Sequence, residues 1–329
     1  MSRSTERELL DWLSRQPGTG GHLGDDAAIL SDGEGWIVTV DFQILGTHLP
    51  ADIDEATFAR RLLAVNLSDI AAMGARASHC FLALAAPMGF AHRDFFLEFL
   101  DACRSHGLVL AGGDLSSAET AVASLTVLAK PTPGSQVLRR SSAEAEQTIW
   151  LGGPVGVSAL GCELVSRGGR LRSRKPNLPE SCGVPAELRP VAAEAVLTHL
   201  EPQPQVDLGQ WLAPRAASCT DVSDGLARDL HELCNASHVG ALIDEGALPS
   251  VPGFEALAAH LDLDSLALML GGGEDYVLLF TLPADVEPPA ELGCHRIGRT
   301  TLSQEILLRD GQGRSRPLAD LGWDHLSRP

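Results

Sequence analysis

Apolar positions recur along this chain with two periods, and the switching between them predicts its elements. Residues 5–15 place Leu9, Leu10 and Leu13 on one side of a short amphipathic helix. A glycine-rich stretch from Gly18 to Gly24 leads to Asp25 and Asp26. Trp36 to Asp41 reads as a strand ending in an acid. Asp54 to Ala72 reads as a helix with Phe58, Leu62 and Val65 on one stripe. Next come a strand over 82–86, a helix over 93–105, a buried strand over 107–111 that runs into Gly112-Gly113-Asp114, and a strand over 122–129. Residues 130–142 carry two prolines, a glycine and two arginines, and mark a domain boundary. The second half predicts a strand over 148–151, a helix over 155–166, an exposed basic loop over 168–187 and a helix over 188–200. A further helix opens at Asp221–Gly225 and runs to Leu233, and a strand covers 276–281. Strands and helices mixed in both halves predict an α/β chain with α+β character in two domains, 1–138 and 139–329.

Composition narrows the partners. With 44% hydrophobic and 21% charged residues the chain is of ordinary globular make-up, not disordered. Its 43 acidic and 25 basic residues give a net charge of -18, which argues against nucleic acid and anionic lipid as partners. An anionic substrate remains compatible, because metal ions invert the local field of clustered carboxylates. Seven cysteines at 80, 103, 162, 182, 219, 234 and 294, odd in number and without a C-x-x-C pair, point to reduced thiols in the cytoplasm. The charged N-terminus has no apolar segment of the kind a secretory signal needs, and no run reaches the ~20 apolar residues of a membrane span.

The chemistry is suggested by acids in unexpected places. Asp69 lies eleven residues after Phe58 and so returns to the apolar stripe of the 54–72 helix. Either the helix has ended and Asp69 caps it in solvent, or a cation holds the carboxylate there. Asp41, at the end of an apolar strand, is a terminator or a ligand, since open α/β sheets place ligands at strand C-terminal ends. Gly113 and Asp114 read as a turn or as a phosphate and metal site. Asp221, Ser223 and Asp224 suit a helix cap and a phosphate site equally. Gly271-Gly272-Gly273-Glu274-Asp275 implies close approach by another group. Two carboxylates ~4 Å apart repel by ~4 kcal/mol at an effective dielectric of ~20, so gathering several calls for multivalent cations. Oxygen ligands favour Mg²⁺ with substrate phosphates, hence phosphoryl transfer. Neither G-x-x-x-x-G-K-[ST] nor the protein-kinase motif set is present.

These segments resemble the thiamine-monophosphate kinases of the aminoimidazole-ribonucleotide-synthetase-like superfamily. The matching stretches are GDDAAIL (24–30), TVDFQILGTHL (39–49), AVNLSDIAAMGA (64–75), GGDLSSAE (112–119), TDVSDGL (220–226), GGGEDYVLLFT (271–281) and GWDH (322–325). The resemblance implies two α/β domains, with N-terminal sheets closing into a barrel in a homodimer and ATP bound near the interface. It implies Mg²⁺-dependent, in-line transfer of the ATP γ-phosphate to thiamine monophosphate, without a phosphoenzyme or covalent catalytic residue. By the same resemblance Asp26, Asp41, Asp69, Asp114 and Asp221 bind Mg²⁺, Asp224 ligates a further ion and Thr39 contacts metal. Gly113, Asp114, Arg140 and Ser223 meet ATP phosphates. His48, Glu274 and Trp323 hold thiamine monophosphate, with the Trp323 indole able to stack on a cationic ring.

The chain departs from the family pattern at Val40, where a Thr is usual, at Leu115 and Ser116, and at Ser142. His106 stands where a Tyr often packs near the adenine. The competing readings are another ATP-dependent member of the superfamily and a relative that binds thiamine phosphates without turnover. Residues 16–24 hold neither the Cys nor the Lys that selenide chemistry would favour.

Overall fold

The computed structural model describes residues 6–13, 15–16, 25–30 and 35–323. The glycine-rich stretch 18–24 and Asp324-His325 of the last motif lie outside them.

Helix α1 (Glu6–Leu13) precedes a five-stranded sheet built from β1 (Ala28–Leu30), β2 (Trp36–Ile44), β3 (Ala75–Ala86), β4 (Val109–Ser117) and β5 (Val122–Pro131), in the order β1-β2-β5-β3-β4. Helices α2 (Glu55–Ala72) and α3 (His92–Ser105) pack on this sheet. Alternation along β2 buries Ile37, Thr39 and Gln43 while leaving Val40 and Phe42 61% and 48% exposed. Phe81 of β3, also exposed, lies across Thr126 of β5 from Val40.

The second half forms a seven-stranded sheet. Its strands are β6 (Thr148–Leu151), β9 (Ser218–Asp221), β10 (Gly240–Asp244), β11 (Leu278–Leu282), β12 (His295–Thr301), β13 (Ile306–Arg309) and β14 (Ser315–Pro317), ordered β14-β13-β10-β12-β6-β11-β9. A small hairpin, β7 (Arg170–Arg172) with β8 (Lys175–Asn177), occupies part of the basic segment expected to be loop throughout. The helices of this half are α4 (Val157–Ser166), α5 (Arg189–Leu200), α6 (Val206–Leu212), α7 (Leu226–Ser237), α8 (Phe254–His260) and α9 (Ser265–Gly271). No helix among the described residues is long and apolar enough to cross a membrane.

Helix α2 joins the two halves. Asp54 caps it, its carboxylate accepting from Thr57 N at 2.9 Å. The stripe predicts one buried face, yet 14 of its 18 residues are buried. The reason is that α2 is sandwiched: the five-stranded sheet covers one side, while α6 and strand β9 cover the other. One apolar cluster ties Ala71 and Ala72 of α2 to Leu208 and Leu212 of α6 and Phe280 of β11. The helix continues past Asp69 to Ala72, so Asp69 is inside the helix and not a solvated cap.

Strand β4 also departs from expectation. The predicted strand stops before Gly112-Gly113-Asp114, whereas β4 runs through these residues to Ser117. Gly113, at φ 155°, pairs with Leu82, and a Cβ there would sit 1.8 Å from the Leu82 carbonyl oxygen. The glycine is needed for strand pairing, whatever it does for a ligand.

Candidate metal and phosphate site

The edge strand β9 of the large sheet ends at Asp221, which faces α2. At this seam one carboxylate oxygen from each of Asp26, Asp69 and Asp221 lies within 4.8 Å of the other two. Each is held by a different element. The Thr39 hydroxyl of β2 donates to Asp69 at 2.6 Å, and the Ser68 hydroxyl of α2 donates to Asp221 at 2.5 Å. Asp26 Oδ1 accepts from Arg140 Nη2 at 2.5 Å and from the Thr220 hydroxyl at 3.0 Å, while Arg140 Nε donates to the Thr220 hydroxyl at 3.1 Å.

These donors do not balance the negative charge. Burial pushes the carboxyls of Asp69 and Asp221 above the usual range, and the neighbouring carboxylates push them further. Burial would lower the Arg140 guanidinium, but Asp26, with Asp229 and Asp221 beyond it, raises it. One cation thus faces three carboxylates. Asp26 Oδ2 is buried and has no hydrogen-bond partner. An orphaned carboxylate oxygen inside an all-oxygen cluster fits a hard divalent cation of the Mg²⁺ type.

A pocket of about 340 Å³ opens beside the cluster. Its walls include Asp26, Thr39, Asp41 and Asp69 on one side and Ser223, Asp224, Gly273 and Glu274 on the other, with His48 and Trp323 at the same cavity. Asp41 is half-buried; its amide donates to the Asn66 side chain at 3.2 Å and its carboxylate accepts from Phe42 N at 2.6 Å. His48 Nδ1 accepts from Ile44 N at 3.0 Å, which leaves the proton on Nε2. Trp323 is anchored by its amide on the Asp224 carbonyl at 3.0 Å and by Arg228 on its own carbonyl at 2.5 Å. The Gly-Gly-Gly-Glu-Asp segment is drawn close to the turn after β9: a Cβ on Gly273, at φ 68°, would come within 2.9 Å of the Ser223 carbonyl oxygen. The Glu274 amide donates to that same oxygen at 2.7 Å.

Of the residues singled out in the sequence, Asp26, Thr39, Asp41, Asp69, Ser223, Asp224, His48, Glu274 and Trp323 line this pocket, and Asp221 and Arg140 stand directly behind it. Three do not join them within one chain. Gly113 lies in register with Leu82, Leu125 and Asp41 across three strand spacings, roughly 14 Å at ~4.8 Å each. Asp114 is exposed beside it on edge strand β4. His106, just past α3, lines a separate pocket of about 230 Å³ with Arg60, Glu98, Arg174 and Glu201.

Sequence reasoning missed Ser68, Arg61, Cys162 and Tyr276. Ser68 holds Asp221, Arg61 pairs with Glu274, and Cys162 and Tyr276 line the pocket. The available signal was polar residues inside the 54–72 helix on the flank of the Phe58 stripe, legible only if that flank too is expected to be buried.

Residues 24–130 match AIR synthase related protein, N-terminal domain, and residues 144–306 match AIR synthase related protein, C-terminal domain. The thiamine-monophosphate kinase of Escherichia coli (strain K12) is 32% identical over 322 residues, covering 93% of this chain and 92% of its own length. The crystal structure of the thiamine-monophosphate kinase from Stenotrophomonas maltophilia K279a superposes with a TM-score of 0.72 at 31% identity, covering 92% of this chain and 94% of that one. AaThiL complexed with AMPPCP and TMP superposes with a TM-score of 0.84 at 22% identity, over 99% of both chains.

Proposed function

Because the chain belongs to the thiamine-monophosphate kinases within the AIR synthase related proteins, we propose that it transfers the γ-phosphate of ATP to thiamine monophosphate in a Mg²⁺-dependent reaction, giving thiamine diphosphate and ADP. The observation that carries this reading is the trio Asp26, Asp69 and Asp221 beside a pocket that joins polar and aromatic walls.

Asp26, Asp69 and Asp221 would hold Mg²⁺, with Thr39 and Asp41 beside them and Asp224 serving a further ion. Bound there, Mg²⁺ supplies neutralisation of the charge that develops on the phosphate oxygens. Ser223, at the turn after β9, offers a hydroxyl to phosphate, and Arg140 is preset by its bonds to Asp26 and Thr220. His48, Glu274 and Trp323 orient the thiamine moiety, the indole against its cationic ring. A phosphate oxygen of thiamine monophosphate then attacks the γ-phosphorus in line with the departing ADP oxygen. The attacking group is already anionic near neutral pH, so no general base is called for.

Residues 1–138 would form the nucleotide, metal and dimerisation unit, and residues 139–329 would complete the site. A homodimer is part of the proposal. The helix-free face of the first sheet exposes Val40, Phe42 and Phe81, and β4 is an unpaired edge. A second copy laid on that face would cover these side chains and bring Gly113, Asp114 and His106 toward an ATP bound at the interface. The cytoplasm is the proposed location, on the strength of an odd set of scattered cysteines.

The test is chromatographic: purified protein with ATP, thiamine monophosphate and Mg²⁺ should yield thiamine diphosphate and ADP in equal amounts, and EDTA should stop it. Asp41→Ala should lower kcat by at least ~10²-fold with an unchanged circular dichroism spectrum. Near-wild-type turnover in that variant would refute the metal assignment.

A further inference from the structure

Arg61 is the bulkiest fully buried side chain among the described residues, 0% exposed, and the reaction as proposed makes no use of it. It projects from the side of α2 that meets the second half of the chain. Its Nη2 donates to Glu274 Oε1 at 2.5 Å, Nη1 donates to the His199 carbonyl, and the guanidinium carbon lies 5.7 Å from the centre of the Tyr276 ring. Nε is buried with no partner. A guanidinium taken entirely out of water carries a heavy desolvation cost, and a scaffold that needed only packing would place an apolar side chain there.

Its partner explains the arrangement. Glu274 is held on strained backbone at φ 57°, followed two residues on by Tyr276 at φ 52°. The strain is sustained by the bond from Glu274 N to Ser223 O, the bond from Tyr276 N to Val222 O, and the Asp275 carboxylate, which accepts from Gly156 N and Ser158 N at the start of α4. The backbone of residues 274–276 is thus pinned, and the Glu274 side chain stays 30% exposed and lines the pocket. Burial alone would raise its carboxyl, but the Arg61 guanidinium holds it below the ordinary value. His199, whose Nδ1 is 3.5 Å from Glu274 Oε2, is itself driven down to about 4 by burial and by Arg61, so it faces the carboxylate as neutral imidazole. Arg61 is therefore the charge that makes a carboxylate possible at this wall of the pocket.

We propose that Arg61 is a positioning residue for substrate recognition: through Glu274 it fixes a carboxylate in the pocket against which the cationic, amino-bearing thiamine moiety docks. The inference rests on the thiamine monophosphate reading of the pocket. It separates substrate recognition, on the Arg61–Glu274 pair, from phosphate and metal handling on the aspartate trio.

Steady-state kinetics of Arg61→Met, Arg61→Lys, Glu274→Gln and the double variant Arg61→Met/Glu274→Gln test it, with each substrate varied in turn at saturating levels of the other. Arg61→Met is expected to raise KM for thiamine monophosphate by ~10-fold or more while KM for ATP stays within ~2-fold. Arg61→Lys should recover part of the loss, and in the Glu274→Gln background Arg61→Met should add less than ~2-fold. A raised KM in Glu274→Gln with no change in Arg61→Met overturns the inference and leaves the pocket assignment standing. So does an Arg61→Met effect that falls equally on both substrates or multiplies fully in the double variant, since that is general structural support. Unchanged KM in Glu274→Gln overturns the pocket assignment and the inference together. Should Arg61→Met fail to fold by circular dichroism, Arg61→Lys decides: it must raise KM for thiamine monophosphate selectively, and an unchanged KM refutes the proposal.

Discussion

Asp69 accepts one short hydrogen bond from Thr39 and otherwise faces Asp26 and Asp221. Its stability consequences are therefore electrostatic and pH-dependent. A carboxyl whose pKa is higher in the folded state favours folding while protonated. That contribution is complete below the ordinary aspartate value of 3.8 and is lost as pH rises through the raised value. Metal-free protein is expected to melt at a lower temperature at pH 8 than at pH 6. Addition of Mg²⁺ should raise the melting temperature more at pH 8, above the value of about 7 to which the Asp221 carboxyl is raised. Differential scanning fluorimetry with EDTA or Mg²⁺ across this range checks both signs, and an identical Mg²⁺ increment at the two pH values would refute the link. Arg140 does not remove the effect, because it engages only Oδ1 of Asp26 and leaves Oδ2 without a partner.

At the scale of elements, strand β4 and helix α2 each carry two duties. In β4, Gly113 lets the backbone come against Leu82, and the same residue opens the edge that bears Asp114. Gly113→Ala would drive a methyl into the Leu82 carbonyl at a φ of 155°, so the strand must shift or unpair. The expected result is a melting temperature lower by about 5 °C or more, read by thermal circular dichroism. An unchanged transition would mean that β4 is not paired to β3 in this register. In α2 Phe58 and Leu62 pack into the core and Val65 reaches the pocket wall, while Arg61 and Asn66, equally buried, bond to Glu274 and Asp41 of the pocket and Ser68 bonds to Asp221 behind it. A helix that is buried on both sides can serve a core and a site at once.

The whole molecule has a pocket at the seam of its two halves and an apolar sheet face that nothing within the chain covers. The seam is where α2 meets β9, so residues separated by nearly 200 positions, Asp26 and Asp221, come within bonding range of one ion. The uncovered face carries the association prediction. Phe42→Asp with Phe81→Asp would place charges among the exposed apolar side chains, and the protein is expected to fall from dimer to monomer mass in light scattering. Activity should fall with it, since Gly113, Asp114 and His106 lie outside the pocket of a single chain and Phe42 itself lines that pocket. A double variant that stays dimeric would refute this interface.

The sequence by itself determined the element types over most of the chain, the two-part α/β organisation and the family, because local period, glycine runs and acid-bearing motifs are properties of short segments. It also marked Asp69 as misplaced on an apolar stripe, and the helix indeed runs past it to Ala72. It could not place the end of β4, since pairing through Gly113 depends on the carbonyl of a residue thirty-one positions away. Nor could it tell that Asp26, Asp69 and Asp221 converge while Asp114 stands apart, or that Arg61 turns to Glu274. Those facts were decided by the tertiary structure: the distance between charges on different elements is set by how a helix packs between two sheets, and no local pattern carries that information.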